Sequence, residues 1–499
     1  MARRSLLTDA ERERLFGVPT GRDELVRRYT LDLTDLALVS GHRGDANRLG
    51  FALQLALLRD PGFGLSVATG APEALVVFLA EQLGIEPSAF AAYAARVATA
   101  TEHARELERA LGLRPATRVD LPLMIESAAA AAWPTDKGGP IAEGIIHALR
   151  DVRIVLPTPD TIERAGLAGR ARARKRAADA LLAGLSHEQI TRLDAMLAVD
   201  PATGRTLLAW TRDLPVAPKP DHVRELVDRL AMVRAVGLDP TLTNRIHPDR
   251  LRALVREGQL SSPHAIERYT PHRRRAILVA ALLDLERRLT DAVLGMADRL
   301  IGASFTRGKN ARERTYTATS RDVGRLMRLL HGTIEAVEAA VRDGGDALSA
   351  IDGAVGLDRL IHAKPDAAAI ADLAEEDPLV RAADRHGTLR KFAPLLLEAI
   401  DFRASRSTDP TIAALATLRQ LNRSGKRDVP RDAPMPFKKD WRRLVAGADG
   451  KVDRRLYETA VFAHLRNKWR SGDVWVERSG EYRRFDSYLL PAAEAAPIV

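Results

Sequence analysis

The stretch PHRRRAILVAALLDLERRLTDAVLGMADRLI, residues 271–301, decides the fold class. Leu278, Leu282, Leu285, Leu289, Met296 and Leu300 recur at three- and four-residue spacing, which is the period of one helix face. This stripe predicts the longest helix of the chain, with a core face or a helix–helix seam along it. At its start, His272, Arg273, Arg274 and Arg275 cluster without an acid between them, and the three arginines are candidate phosphate ligands. The polar stretch after it, with Arg307, Lys309, Arg312 and Arg314, is expected to be a turn carrying further cations.

Composition extends the helical reading outward. Apolar residues make up 46% of the 499 and aromatics only 5%, with Ala, Leu and Arg dominant, which favours helices packed through aliphatic side chains. The expectation is a mostly α, multi-domain string of small helical modules, of helix-turn-helix or winged-helix type, with long connecting helices and a short C-terminal β-hairpin. The length suits three or four domains. There is no cysteine, so disulfides and thiolate metal sites are excluded. No window has the length and apolarity of a membrane span or a signal peptide, and a cytoplasmic, nucleoid-associated protein is expected.

Net charge is +10, and its distribution says more than its total. Residues 1–169 carry −3, 170–330 carry +12, 331–420 carry −5 and 421–499 carry +6. Segregated positive charge rich in Arg points to a phosphate-bearing partner. Its densest point is RARARKR, where Arg170, Arg172, Arg174, Lys175 and Arg176 stand in seven residues without an acid. On a helix these cations cover most of the circumference, leaving no apolar stripe, and uncompensated they would repel one another. Contact with a nucleic-acid backbone would relieve that repulsion, positioning the protein without reading sequence.

Local signals place the remaining motifs. Thr8 with Glu11 forms a capping box, Thr34 is expected to cap a short helix, and Asp45 to Arg59 shows helical periodicity after the glycines of 40–44. Helix, glycine turn and helix outline a helix-turn-helix, in which Arg43, Asn47 and Arg48 would approach base edges. A helix pair over 120–150 is joined by TDKGG, and the β-rich run Val152–Leu156 after it suggests a small winged unit. Residues 343–365 read as a connection, 424–440 as a Pro-rich linker, and Val474–Val476 with Tyr482–Phe485 as a hairpin. The expected organisation is 1–115 and 116–169 as two helical DNA-binding modules and 170–342 as a basic DNA-binding and connecting region. An acidic helical region at 343–423, the linker, and a basic helix with the hairpin at 441–499 complete it. The histidines show no metal-ligand spacing.

Several blocks together resemble one family. SLLTDAERERLFGVPTGRDELVRRYTL, HRGDANRLGFALQLALLRDPG, TDKGGPIAEGIIHALRDVRIVLPTPDTIERA, LVDRLAMVRAVGL, RRRAILVAALLDLERRLTDAVLGMADRLIGASF and LRNKWRSGDVWVERSGEYRRFDSYLLP are similar, in order, to the N-terminal half of Tn-three family replicative transposases.

The resemblance implies helical modules that bind the double-stranded DNA of transposon terminal inverted repeats, with Arg43, Asn47, Arg48, Lys137, Arg150 and Arg153 in the matching motifs. The family's ribonuclease-H-like domain, whose Asp, Asp and Glu hold divalent metal, would follow these blocks. No residue here matches that triad, so no catalytic residue, metal ligand or cofactor is expected. The expectation is therefore a truncated transposase, able to bind ends or join full-length subunits without strand transfer. The alternatives are the DNA-binding half of a split active transposase and a helical nucleic-acid-binding scaffold without sequence choice.

Overall fold

The computed structural model describes residues 5–65, 71–94, 97–318 and 320–489. It is mostly helical, and among the described residues there are two two-stranded sheets. Two compact units divide the chain, one formed by the chain up to Leu193 with Leu238–Ala281, the other by Asp194–Gly237 with the chain from Leu282 onward. The predicted long helix is Pro271–Ala318 and supplies residues to both.

In the first unit, the capping box of Thr8 and Glu11 forms as expected. The helix Leu33–Ser40 is capped by Asp32 rather than Thr34, because Asp32 and Asp35 exchange carboxylate-to-amide bonds. Asp45–Arg59 is almost wholly buried beyond its first turn. The TDKGG turn opens the helix Gly138–Asp151, and its first glycine is explained by close approach: a Cβ on Gly138 would lie 1.9 Å from the Leu6 carbonyl oxygen. The strand expected over Val152–Leu156 shortens to Ile154–Val155, which pairs in parallel with Arg114–Pro115.

RARARKR lies within the helix Pro159–Leu182, and the expectation that this run leaves no face to bury is corrected. Gly169, Ala173 and Ala177 form a buried stripe of small residues, with Ala173 between the cations. They pack on Leu121–Ala131 so closely that a Cβ on Gly169 would meet that of Ala128 at 2.3 Å. Small side chains let the two backbones approach while long arginines reach out from either side of the seam.

One backbone feature stands apart. Among the described residues every position with positive φ is glycine except Arg153, at φ 58°. It follows Val152, the C-cap of Gly138–Asp151, at the point where a left-handed residue closes many helices and glycine is the default. A side chain there is disfavoured by about 1–2 kcal/mol.

The second unit is built on the Leu282–Leu300 stripe, buried as the periodicity requires. Pro220–Ala235 packs against His386–Ala399, and Arg454–Ser471 buries Tyr457, Phe462 and Trp469. Arg307, Lys309, Arg312 and Arg314 lie on the long helix and not in a turn, since strong helix formers without proline extend it, with Lys309 and Glu313 one turn apart at 3.8 Å. The connection expected at 343–365 is also largely helical, as Ala347–Val355 and Leu357–Glu375. The Pro-rich stretch is irregular up to Lys438, yet it buries Val429, Ala433 and Phe437.

The C-terminal hairpin does not form. Val474–Val476 pairs antiparallel with Phe402–Ala404, Phe402 opposite Val476. The chain beyond is drawn away by Asp291, which accepts hydrogen bonds from the Ser479 hydroxyl and the amides of Gly480 and Glu481. Only the Val476 amide reaches back, to the Tyr482 carbonyl at 2.9 Å. Among the described residues no single helix is long and apolar enough to cross a membrane.

Candidate nucleic-acid interface

Two basic runs about a hundred residues apart in sequence converge in the first unit. Arg174 and Lys175 from one, and His272 and Arg273 from the other, line a single cleft of about 210 Å³ together with Asp136, Arg250 and Glu257. The Pro159–Leu182 helix presents the first pair. The opening turn of Pro271–Ala318 presents the second. His272 Nε2 lies 2.7 Å from Asp179 Oδ1, and Lys175 Nζ lies 3.1 Å from Oδ2 of the same carboxylate.

Arg250 forms the floor and is 3% exposed. It pairs with Asp136 at 2.7 Å and donates to the carbonyl oxygens of Ala132 and Thr135, so the end of the Leu121–Ala131 helix is held by a cation where its carbonyls concentrate negative charge. Burial raises the Asp136 pKa, but hydrogen bonds from Arg174 and Arg250 outweigh it and hold the carboxyl below its ordinary range.

The remaining cations of RARARKR also have carboxylate or carbonyl partners. Arg172 and Arg176, one turn apart, both reach Glu126, at 3.3 and 2.6 Å, and Arg174 pairs with Asp136 at 2.9 Å. Arg170 donates to the Asp136 carbonyl oxygen at 3.3 Å. The run is therefore compensated from within the fold, which corrects the expectation of uncompensated repulsion. The acids that pair with the run come from a neighbouring helix, from the loop after that helix, and from Asp179 later on its own helix. These pairs are half exposed, a setting in which an ion pair contributes about 0–1 kcal/mol. A phosphate oxygen can replace such a carboxylate at little cost.

Arg273 pairs with Glu257 at 2.5 Å and stands 4.2 Å over the Tyr269 ring. Arg274 donates to the Glu267 carbonyl oxygen at 3.4 Å, and Arg275 is likewise engaged.

The residues expected to form a helix-turn-helix are arranged differently from one another. Asn47 turns back, its Nδ2 donating to the Arg43 carbonyl at 3.0 Å, and Arg48 folds onto Asp45 at 2.7 Å. Arg43 is exposed, and its guanidinium has no partner among the described residues. Beneath this turn His42 packs between Phe51 and His103, at ring distances of 4.1 and 4.4 Å. Burial, followed by the neighbouring His42, lowers the pKa of His103.

Lys137 is exposed at the N-cap of Gly138–Asp151, and Arg150 at the other end donates to the Pro61 carbonyl at 2.7 Å. The sequence reading missed Arg250, whose partners lie more than a hundred residues away, and Arg114 with Arg118. For the latter the pattern Thr117-x-x-Asp120 was a visible capping signal, and it forms a capping box in the structure.

A protein family described as a domain of unknown function, DUF4158, matches residues 6–168. Over its whole length the chain is 34% identical to the transposase for transposon Tn501 of Pseudomonas aeruginosa and 34% identical to that for Tn3926 of Escherichia coli. The transposase for transposon gamma-delta of Escherichia coli (strain K12) is 25% identical over 94% of the chain. The chain spans about half the length of these relatives, and matches their N-terminal half.

Proposed function

We propose that this chain is the DNA-end-binding part of a Tn-three family transposase, recognising the terminal inverted repeats of its element in the cytoplasm beside the nucleoid. Its partner is duplex DNA, with association with further transposase subunits as a second contact. One observation carries the reading: two basic runs far apart in sequence send cations to one cleft, Arg174 and Lys175 from the first and Arg273 from the second, in a unit that also presents Arg43 and Lys137. The whole-length similarity to transposases supports it. In this reading the cleft cations take backbone phosphates by exchange with Glu126, Asp136, Asp179 and Glu257, and supply affinity. Base choice falls to the modules before residue 169, with Arg43 free to reach a groove. A second reading, backbone binding without sequence choice, is favoured by the inward turn of Asn47 and Arg48. A gel shift of the chain on the element's terminal repeat and on a scrambled duplex, across a salt series, separates the two. Tighter binding to the repeat supports end recognition; equal binding leaves only the backbone reading.

A further inference from the structure

We infer that Arg153, with Arg118, forms a second phosphate contact outside the cleft, and that Arg153 is kept at a left-handed backbone position for that purpose. The inference rests on the DNA-binding reading above. At this position glycine would close the helix without strain, as Gly84, Gly425 and Gly472 do at the ends of their helices. The strained conformation is fixed from both sides: the Arg153 amide donates to the Arg150 carbonyl at 3.0 Å, and its carbonyl accepts from the Arg114 amide at 3.0 Å. Its guanidinium is exposed and makes no hydrogen bond or ion pair among the described residues, so no contact within the fold repays the strain.

The surroundings favour an anion. Arg114, whose amide donates to the Arg153 carbonyl, spends its guanidinium on Asp120 in two bonds of 2.9 and 2.7 Å. That carboxylate is thereby neutralised beside Arg118, which is exposed and has no partner among the described residues. Arg150 turns its own guanidinium to a carbonyl rather than to an acid. Asp151 is the carboxylate left on this stretch, against the guanidiniums of Arg118, Arg150 and Arg153. Planar forks with open donors match phosphodiester oxygens.

A purely structural role, in which a cation after a helix C-terminus offsets the charge of the last carbonyls, predicts a different outcome. The full chain, its Arg153→Gly, Arg153→Lys and Arg118→Gln variants are compared by fluorescence anisotropy on a mixed-sequence duplex across salt, and by thermal melting. Arg153→Gly is expected to melt higher than the parent yet bind roughly three- to tenfold more weakly, with the log-affinity slope against log-salt shallower by about 0.9. Arg118→Gln flattens the slope similarly, and Arg153→Lys keeps most of it. An unchanged slope for Arg153→Gly, whichever way its melting moves, overturns the inference while leaving the DNA-binding reading intact. Failure of the parent chain to bind any duplex overturns both.

Discussion

His272 and Asp179, 93 residues apart, are joined by a hydrogen bond of 2.7 Å that ties the start of the long helix to the end of the basic one. Asp179 also takes Lys175, so one carboxylate serves both basic runs. The cations are thus held by internal acids, which under the proposed function are the groups that phosphates displace, and the first consequences concern those acids.

Among the described residues Glu126 pairs with Arg172 and Arg176. Reversing both arginines to Glu is expected to weaken binding to every duplex about equally and to flatten the salt dependence by about 0.9 per lost phosphate contact. Glu126→Gln, which removes the competing charge, is expected to move affinity the other way, severalfold at low salt. Anisotropy titrations of both variants check the pair; a changed sequence preference in the double variant contradicts the role assigned to these residues.

Gly169 sits where Pro159–Leu182 and Leu121–Ala131 are nearly in backbone contact, with the Ala128 carbonyl carbon and Ala129 amide nitrogen both 2.8 Å from where a Cβ would stand. Gly169→Ala cannot be relieved by turning a flexible side chain. It is expected to lower stability by about 1–3 kcal/mol in urea unfolding followed by circular dichroism.

Asp120 and Asp179 are both held below the ordinary carboxylate range. For Asp120 the chief cause is the hydrogen bond from Arg114, then the Thr117 amide; for Asp179 it is Lys175, then His272. A carboxyl depressed in the folded state stabilises it fully above the unfolded value, and that stability is lost as pH falls through the folded value. These two carboxylates are therefore expected to leave the melting temperature unchanged down to about pH 4 and to lower it below that, a limb separate from the loss below about pH 6.5 that the lowered pKa of His103 brings. Asp120→Asn should soften that acid limb, and a melting temperature that rose in acid would contradict the assignment.

In the second unit Glu286 is buried at 5% exposure and accepts from Arg234 at 2.8 Å and Arg478 at 2.6 Å. Glu286→Ala leaves two partly exposed cations facing each other and is expected to cost about 2 kcal/mol, less than a fully buried pair would. Calorimetry on the variant measures it.

Much of the fold was legible because it depends on local period and on caps. The stripe Leu278 to Leu300 and the capping box at Thr8 are each written in the local pattern, and each forms. What failed was decided by partners remote in sequence. The run Val474–Val476 has strand character, but its mate is Phe402–Ala404 and its would-be turn is taken by Asp291. RARARKR reads as a run with no face to bury because its alanines are weak hydrophobes; only the equally small residues of Leu121–Ala131 make Ala173, with Gly169 and Ala177 on either side of the run, a packing face. The cleft itself could not be read, since Arg250 and Asp136 show no motif and meet only in the folded unit.

The central claim is that the cations of the first unit bind duplex DNA and that the modules before them choose its sequence. The direct measurement is the affinity of the intact chain for the element's terminal repeat and for a scrambled duplex of equal length, from low to physiological salt. The account predicts that log affinity falls linearly with log salt for both duplexes, with the repeat bound more tightly throughout. Equal affinity for the two, or binding that does not respond to salt, contradicts it.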